Sequence, residues 1–223
     1  MPKIIDCEQG SAEWLQARCG RITASRLSDV TAYLKSGKGE MKARADYRMD
    51  LVAERLTGLT EPYYVSPEMK WGTKHEPMAR ALYEVATGAE VDQIGFALHP
   101  VYDFAGASPD ALVGSDGGLE IKCPKTTTHL AYMMAGEVPE EYRPQMYWNM
   151  VCCERLWWDF VSYCPKDPID DERLMLPDHL RLFVKRLYAD QDKFSEIEEA
   201  ATATIEEAVA LVKKLSSRMQ VTV

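Results

Sequence analysis

Apolar residues recur at helical spacing through the first part of the chain, and capping residues mark the ends of the predicted helices. Ser11 is a favourable N-cap for the first helix, and Thr23 or Ser25 is one for the second. The third and fourth helices are followed by Gly58 and Gly88, which are suited to ending a helix. The predicted helices cover residues 12–18, 27–34, 43–56 and 71–86.

The middle of the chain changes to short apolar runs interrupted by Pro, Asp and Gly, a pattern typical of β-strands. Strands are predicted over residues 91–98, 102–107 and 118–123, with the turn-forming stretch SDGG at 115–118 joining the last two. Helical spacing then returns, and one further strand precedes a mostly helical end that is broken once. These later elements are helices over 127–135 and 140–153, a strand over 156–163, and helix over most of 178–216.

This order of elements, with a small mixed sheet between two helical parts, predicts an α/β or α+β fold class. A length of 223 residues fits one domain with a hydrophobic core. We therefore predict a single domain over residues 1–223. It has a helical N-terminal part (1–90), a core that contains the sheet (91–165) and C-terminal helices (166–223).

The composition, 46% hydrophobic and 27% charged residues, is that of an ordinary globular protein. The sequence contains neither a run of about 18 apolar residues that could cross a bilayer nor a secretory signal at its start. The six cysteines form no C-x-x-C pair and the four histidines are scattered. Free thiols are therefore expected rather than disulfides, a structural zinc site or an iron–sulfur cluster. Together these features favour a cytoplasmic protein without membrane contact.

The net charge of −9 argues against nucleic acid as a partner, because the molecule as a whole should repel phosphate. The distribution of charge changes this picture. Basic residues outnumber acidic ones between Arg18 and Arg55, whereas acidic residues dominate between Asp167 and Glu207. One end of the molecule could therefore face phosphate, although two ordinary solvated helical faces would give the same pattern.

The candidate chemistry lies in residues 107–124, where Asp110 follows one predicted strand and the segment Glu120–Lys122 lies on the next. Alternation along a strand directs the side chains of Glu120 and Lys122 to the same face. If the two strands pair, Asp110 lies near Glu120. Two carboxylates and a backbone carbonyl then form the hard oxygen site that Mg²⁺ or Mn²⁺ prefers. A neighbouring lysine could hold an attacking water, which suits phosphodiester hydrolysis. The D-x₉-E-x-K spacing alone also fits an exposed hairpin with alternating charges.

Four motifs in this order resemble those of the lambda-exonuclease (YqaJ-type viral recombinase) family. SPD at 108–110 followed by LEIKCP at 119–124 resembles the PD-(D/E)xK nuclease signature. The other motifs are WLQARCGRITASRL at 14–27, WGTKHEP at 71–77 and YRPQ at 142–145. The resemblance runs over residues 8–163 and implies a restriction-endonuclease-like core, with a small mixed sheet flanked by helices.

The resemblance implies a metal site with two Mg²⁺ ions, for which Mn²⁺ could substitute. Asp110 and Glu120 would be metal ligands, and the backbone carbonyl of Ile121 would be a third. Glu76 would serve the second ion or its water shell, since two ions suit in-line displacement at phosphorus. Lys122 would be the catalytic lysine.

The resemblance also implies contacts with the DNA strand. Gln145 would order the scissile strand or the attacking water. Arg18, Ser25 and Ser108 match positions that surround the 5′-phosphate of the substrate end, and arginine and hydroxyl groups suit that ligand. The family has a further arginine shortly after the catalytic lysine, but Thr128 stands here at that position.

Other basic residues could complete the DNA contacts. Lys125 or Arg143 could compensate for the missing arginine. Lys35 and Lys38, on a glycine-bearing loop, are candidates to reach duplex DNA. A ring of three subunits with a basic channel and an acidic outside, which the resemblance implies, would reconcile such contacts with the negative net charge.

The function implied by the resemblance is a Mg²⁺-dependent 5′-to-3′ exonuclease. It would digest one strand of linear double-stranded DNA with 5′-phosphate ends to mononucleotides. The remaining 3′ tail would go to a single-strand annealing protein in phage-type recombination. Such a protein would be encoded by a phage or prophage and act as a homotrimer in the bacterial cytoplasm.

Three alternatives remain open on the sequence. A PD-(D/E)xK endonuclease or junction resolvase would use the same metal site without a 5′-phosphate pocket. A non-catalytic DNA-binding or assembly module would keep the fold without the activity. The presence of Asp110, Glu120 and Lys122 together argues against this alternative. An acidic helical binding protein could instead use the pairs Trp157-Trp158 and Met133-Met134 as an interaction surface, although core packing is the simpler interpretation of both pairs.

Overall fold

The computed structural model describes residues 2–33, 39–60, 65–165 and 176–218. Within these residues, α-helices alternate with short strands, and brief 3₁₀ turns lie at Ala24–Arg26, Glu140–Tyr142 and Asp178–Leu180. The helices are α1 (Ala12–Arg18), α2 (Leu27–Val30), α3 (Lys42–Thr57), α4 (Pro67–Thr87), α5 (Thr126–Ala135), α6 (Arg143–Cys153) and α7 (Gln191–Arg218).

The predicted mixed α/β class is confirmed. The strands, however, form two sheets rather than one. The four-stranded sheet has the order β1-β4-β5-β2 and the five-stranded sheet the order β3-β6-β7-β8-β9. Both are mixed, since β2 is parallel to β5 and β7 is parallel to β8. The strands are β1 (Lys3–Ile5), β2 (Ile22–Thr23), β3 (Val91–Asp92), β4 (Phe96–Leu98), β5 (Ala105–Ala107), β6 (Ala111–Val113), β7 (Gly117–Lys122), β8 (Trp157–Tyr163) and β9 (Leu182–Tyr188).

Local signals account well for the helix ends. The Ser11 hydroxyl accepts a hydrogen bond from the Trp14 amide at 3.2 Å, which caps α1 as predicted. Gly58 and Gly88 end α3 and α4 with φ of 71° and 68°, backbone values that favour glycine. The second helix differs from the prediction because α2 already ends at Val30 and no side chain caps the preceding 3₁₀ turn.

The predicted pairing of strand 102–107 with strand 118–123 is wrong. The three residues 108–110 lead from β5 in one sheet to β6 in the other, and β6 is the strand that pairs with β7. The run at 91–98 likewise divides into β3 and β4, which belong to different sheets. Three-residue strands are too short for a pattern of alternation to reveal them, and only their pairing partners define them.

The prediction of mostly helix over 178–216 is wrong for its first part. Residues 182–188 form β9, which pairs antiparallel with β8 along its whole length. The segment lacks clean alternation between buried and exposed residues, because most of its positions are half-buried. Pairing with a central strand therefore overrides the local preference. The later part is helical as predicted and forms α7.

The largest cluster of buried hydrophobic residues extends along the chain from Ile22 to Ala208. Trp158 is completely buried there, while Trp157 is half-buried. A Cβ atom at Gly118 would collide with the Trp158 ring, so glycine allows this close packing. Core packing is therefore confirmed for Trp158, whereas Met134 is 89% exposed.

On α4, two of the apolar positions at helical spacing are exposed, whereas two polar side chains are buried. Met78 and Val85 are 55% and 84% exposed, while Arg80 and Tyr83 are buried. The Tyr83 hydroxyl donates to Asp159 on β8 at 2.8 Å, so polar contacts orient this helix against the five-stranded sheet. That orientation determines which side chains of α4 reach the carboxylates described below.

Arg44 joins α3 to the C-terminal helix. Its buried guanidinium donates to Thr204 and Glu207 of α7 at 3.1 Å each. A cavity of about 750 Å³ beside it is lined by Arg44 and Arg48, and both arginines are paired with Glu40 and Glu207. None of the site residues predicted from the sequence is among the described residues that line this cavity. Within the part of the chain that is described, no helix combines the length and apolar character needed to cross a membrane.

Candidate active site

The hairpin of β6 and β7 brings the predicted carboxylates together. Asp110 directly precedes β6, and the pairing of Ala111 with Leu119 places Asp110 beside Glu120. The Asp110 Oδ2 atom accepts a hydrogen bond from the Ile121 amide at 2.5 Å. Backbone contacts within one hairpin thus hold the two acids in position.

Alternation along β7 works as predicted. Glu120 is completely buried and Lys122 is 29% exposed, and the Lys122 ammonium forms an ion pair with Glu120 Oε1. Ile121 points the other way and packs in a second hydrophobic cluster with Leu119 and Val161. The segment therefore presents its charged side chains to one face and its apolar side chains to the other.

Helix α6 supplies two amide groups to Glu120. Gln145 Nε2 donates to Glu120 Oε2 at 2.8 Å, and Asn149 Nδ2 donates to the same oxygen at 3.3 Å. The two amides are four residues apart and so lie on one face of the helix. Asn149 is buried and was not predicted from the sequence, although its spacing from Gln145 is a signal that could have identified it.

Helix α4 contributes a third carboxylate, that of Glu76. Glu76 forms an ion pair with Arg80, one turn later on the helix, and Arg80 also donates to the backbone carbonyl of Asp110 at 3.2 Å. A cavity of about 430 Å³, which we call the glutamate-side cavity, is lined by Glu76, Asp110, Lys122 and Tyr142 among others. Arg80 was missed by the sequence reasoning, and its i,i+4 spacing from Glu76 is again the available signal.

Burial disfavours the charged form of all three acids and so raises their pKa values. It raises the pKa of Glu76 to about 7, with a further contribution from the nearby charge of Asp110. Burial likewise raises the pKa of Glu120 to about 7 even though Lys122 opposes the shift. The pKa of Asp110 is also raised by burial. Burial alone would lower the pKa of Lys122, but the charges of Glu120 and Asp110 outweigh it, so the lysine pKa is raised.

The donor set fits a hard divalent cation. Carboxylates whose pKa values are raised by burial and by mutual repulsion would be stabilised by additional positive charge. The described residues contain no group of three or more His, Cys, Asp or Glu side chains with the geometry of a metal cluster. The set predicted from the sequence instead combines the Asp110 and Glu120 carboxylates with the Ile121 carbonyl, which suits a cation that keeps several waters.

Arg18, Ser25 and Ser108 also come together, although they lie on separate segments of the chain. Arg18 donates to the hydroxyl of Ser108 at 3.3 Å and to that of Ser25 at 3.5 Å. Trp14 supports both ends of this group: its indole donates to Ser108 at 2.8 Å, and its ring centroid lies 4.2 Å from the Arg18 guanidinium carbon. Trp14 belongs to the first motif, but its contacts with Arg18 and Ser108 were not predicted from the sequence.

A single cavity connects this group to the carboxylates. The arginine-side cavity, as we call it, has a volume of about 490 Å³. The predicted residues that line it are Arg18, Ser25, Ser108, Asp110, Glu120, Lys122 and Gln145. The segment from Ser108 to Asp110, which crosses from one sheet to the other, contributes the Ser108 hydroxyl to the group around Arg18 and the Asp110 carboxylate to the group around Glu120.

The basic residues considered as replacements for the missing arginine are not brought to this cavity. Lys125 and Arg143 are not among the described residues that line it, and Arg143 instead donates to the Val138 carbonyl at 3.0 Å. Arg26 does line the cavity, but it is paired with the carboxylate of Asp29. Lys35 and Lys38, the candidates for contact with duplex DNA, lie outside the described residues.

Several solved structures are similar to this chain. An alkaline exonuclease from Laribacter hongkongensis is 38% identical in sequence, with a TM-score of 0.83 over 94% of this chain and 98% of that one. The same exonuclease in complex with dAMP gives a TM-score of 0.81. A phage-related exonuclease from Haemophilus somnus 129PT is 16% identical with a TM-score of 0.67 over 87% of this chain and 96% of that one, which shows a shared fold.

Sequence comparison identifies the family. No curated protein matches the chain significantly. Residues 13–155 match the YqaJ-like viral recombinase domain, which covers more than half of the chain and includes the carboxylates, the lysine and the Arg18 group. The chain therefore belongs to the YqaJ-like viral recombinase family.

Proposed function

We propose that the protein is a divalent-metal-dependent exonuclease that degrades one strand of linear double-stranded DNA from its 5′ end and releases mononucleotides. The observation that carries this proposal is the arginine-side cavity, which joins a carboxylate–lysine group to an arginine–hydroxyl group. The first suits hydrolysis at phosphorus and the second suits a terminal phosphate. The similarity to the alkaline exonuclease supports the same conclusion.

The residues have separate roles in this proposal. Asp110, Glu120 and the Ile121 carbonyl would hold Mg²⁺, with Mn²⁺ as a substitute, and Glu76 would hold a second ion or its waters. When bound, the metal supplies Lewis-acid polarisation of the phosphoryl oxygens and a water of lowered pKa. Lys122 orients the attacking water and offsets the charge that develops on the phosphate oxygens.

Gln145 and Asn149 keep the Glu120 carboxylate in one orientation through their hydrogen bonds to Oε2. Arg18, Ser25 and Ser108 bind the 5′-phosphate of the strand end, which places the next phosphodiester at the carboxylates. A site that holds the terminal phosphate while cutting one nucleotide further along explains the release of mononucleotides. It also requires a free strand end.

The remaining parts of the proposal concern assembly and biological role. We propose that the chain acts as one nuclease domain, since its main hydrophobic cluster extends from Ile22 to Ala208. A homotrimeric ring would enclose the duplex and offset the net charge of −9 with a basic channel. The viral recombinase family supports a phage or prophage gene, and a single-strand annealing protein would receive the 3′ tail.

The test is a digestion assay on three substrates: a linear duplex with a 5′-phosphate on one strand only, the same duplex with 5′-hydroxyls on both strands, and a closed circle. Each is incubated with Mg²⁺ and with EDTA, and Lys122→Ala is the control. Loss of the 5′-phosphorylated strand only, dependent on Mg²⁺ and absent in the variant, is the expected result. Cutting of the circle would identify an endonuclease instead, and DNA binding without any cleavage would contradict a catalytic role.

A further inference from the structure

The ammonium group of Lys122 faces an aromatic ring as well as an acid. Its Nζ atom lies 5.2 Å from the ring centroid of Tyr142, within the range of a cation–π interaction. Lys122 and Tyr142 both line the glutamate-side cavity. The ring thus contacts the lysine in addition to the ion pair with Glu120.

Tyr142 itself packs against two other aromatic residues, Phe160 and Tyr132. Its ring stacks on Phe160 with centroids 5.4 Å apart and an interplanar angle of 19°. The Tyr132 ring meets Phe160 edge-on at 5.5 Å, and the two tyrosine hydroxyls lie 3.4 Å apart. Phe160 is completely buried and pairs in register with Glu120 across β7 and β8. The same strand pair therefore fixes both the acid and the aromatic support.

The position of Tyr142 in the chain couples it to a second active-site contact. It is the N-cap residue of α6, three residues before Gln145, which donates to Glu120 at 2.8 Å. Residues three apart lie on the same side of a helix. The start of α6 thus presents an aromatic face to Lys122 and an amide to Glu120.

We propose that Tyr142 is a positioning residue for Lys122. Its ring limits the flexible lysine side chain to one orientation, with the ammonium group between the ring and Glu120. A lysine has several rotatable bonds, so a ring that favours one orientation reduces the conformational entropy lost when the attacking water is bound. This role rests on the proposed nuclease function, in which Lys122 is the group that contacts the reacting atoms.

Steady-state digestion of a 5′-phosphorylated linear duplex in Mg²⁺ tests the proposal with Tyr142→Leu and Tyr142→Phe. Tyr142→Leu removes the aromatic face and is expected to lower kcat about tenfold while the KM for DNA stays within about twofold. Tyr142→Phe keeps the ring and is expected to restore most of the rate. Tyr188→Leu, at a 67% exposed tyrosine on β9, is the matched control and should keep the kcat of the unmodified protein.

A second measurement reports on the contact without catalysis. In protein labelled with ¹³C-lysine, the Tyr142 ring should shift the Hε resonance of Lys122, which Lys122→Arg identifies by its disappearance. The shift should persist in Tyr142→Phe and vanish in Tyr142→Leu. Thermal unfolding of each variant shows whether the fold is intact.

Three results would overturn the proposal. They are an unchanged Lys122 resonance in Tyr142→Leu, a loss of rate in Tyr142→Phe as large as in Tyr142→Leu, and an effect of Tyr142→Leu on KM alone. If the unmodified protein digests no DNA, the proposed nuclease function fails. The contact between Tyr142 and Lys122 is then judged by the resonance shift.

Discussion

The two ends of the arginine-side cavity are built in different ways. At one end, Asp110, Glu120 and Lys122 belong to one hairpin region, and Glu120 is completely buried. At the other end, Arg18 comes from an N-terminal segment and donates to Ser108 at 3.3 Å and to Ser25 at 3.5 Å. The first end is dense in charge and held by backbone pairing, whereas the second is assembled by side-chain contacts between distant segments, among which the two arginine hydrogen bonds are long.

This difference fits the two roles that the proposed function assigns to the cavity. Reaction chemistry needs groups held within a fraction of an ångström, which strand pairing and buried contacts provide. Terminal-phosphate binding needs donors that can exchange their internal partners for a ligand, which long hydrogen bonds at a partly exposed site allow. Changes at the first end should therefore alter kcat and the dependence of stability on pH. Changes at the second end should alter binding.

The largest effect is expected from Glu120→Gln. The substitution keeps the size of the side chain but removes the negative charge, so kcat for duplex digestion should fall about 10³-fold. DNA binding measured by fluorescence anisotropy should change little. A variant that digests DNA at more than a tenth of the normal rate would contradict the role of this carboxylate in the chemistry.

The same substitution should change how stability depends on pH. Glu120 has a pKa of about 7 in the folded protein, above the ordinary value of 4.5. The stability that this raised pKa contributes to the folded state is therefore fully present below pH 4.5. It is lost as the pH rises from there through 7, because the buried carboxyl must then ionise. Relative to Glu120→Gln, the unfolding free energy of the unmodified protein should fall by up to about 3 kcal/mol between pH 4.5 and 8. Urea unfolding of both proteins in EDTA measures this difference, and a constant gap across the pH range would contradict it.

At the other end of the cavity, Arg18→Ala should affect binding more than chemistry. Loss of a charged donor is expected to weaken the binding of 5′-phosphorylated ends about 30-fold, or about 2 kcal/mol. Binding of 5′-hydroxyl ends and kcat at saturating DNA should change little. Arg155→Ala, at an arginine outside the cavity that donates to the Gly114 carbonyl, is the control. Equal weakening for both kinds of end would remove Arg18 from the phosphate contacts.

The smallest effect is expected from two glycine substitutions that test the rigidity of the hairpin end. Gly118→Ala places a Cβ atom against the Trp158 ring and should lower the unfolding free energy by about 1 to 2 kcal/mol. Gly72→Ala, within α4, meets nothing within 4 Å and should raise stability by up to about 1 kcal/mol through helix propensity. Thermal unfolding separates the two, and equal midpoints would show that the hairpin tolerates the added atom.

Local sequence signals predicted much of the fold because capping and turn residues act on their neighbours. Ser11 begins its helix and Gly58 and Gly88 end theirs as predicted, and alternation along β7 correctly oriented Glu120 and Lys122. The strand at residues 182–188 was missed because only its pairing with β8 makes it a strand. Asn149 and Arg80 were missed as site residues for a related reason. Their amide and guanidinium groups gain a role only when α6 and α4 pack against the hairpin.

The sequence by itself determined the family, the mixed α/β class and the carboxylates and lysine that form the candidate site, because motifs and alternation are properties of neighbouring residues. Only the tertiary structure decided that SPD crosses between two sheets and that Arg18, Ser25 and Ser108 share a cavity with Glu120. It also decided that Tyr142 faces Lys122. These features depend on contacts between residues far apart in the chain, and such contacts are selected by burial and packing of the whole molecule rather than by local preference.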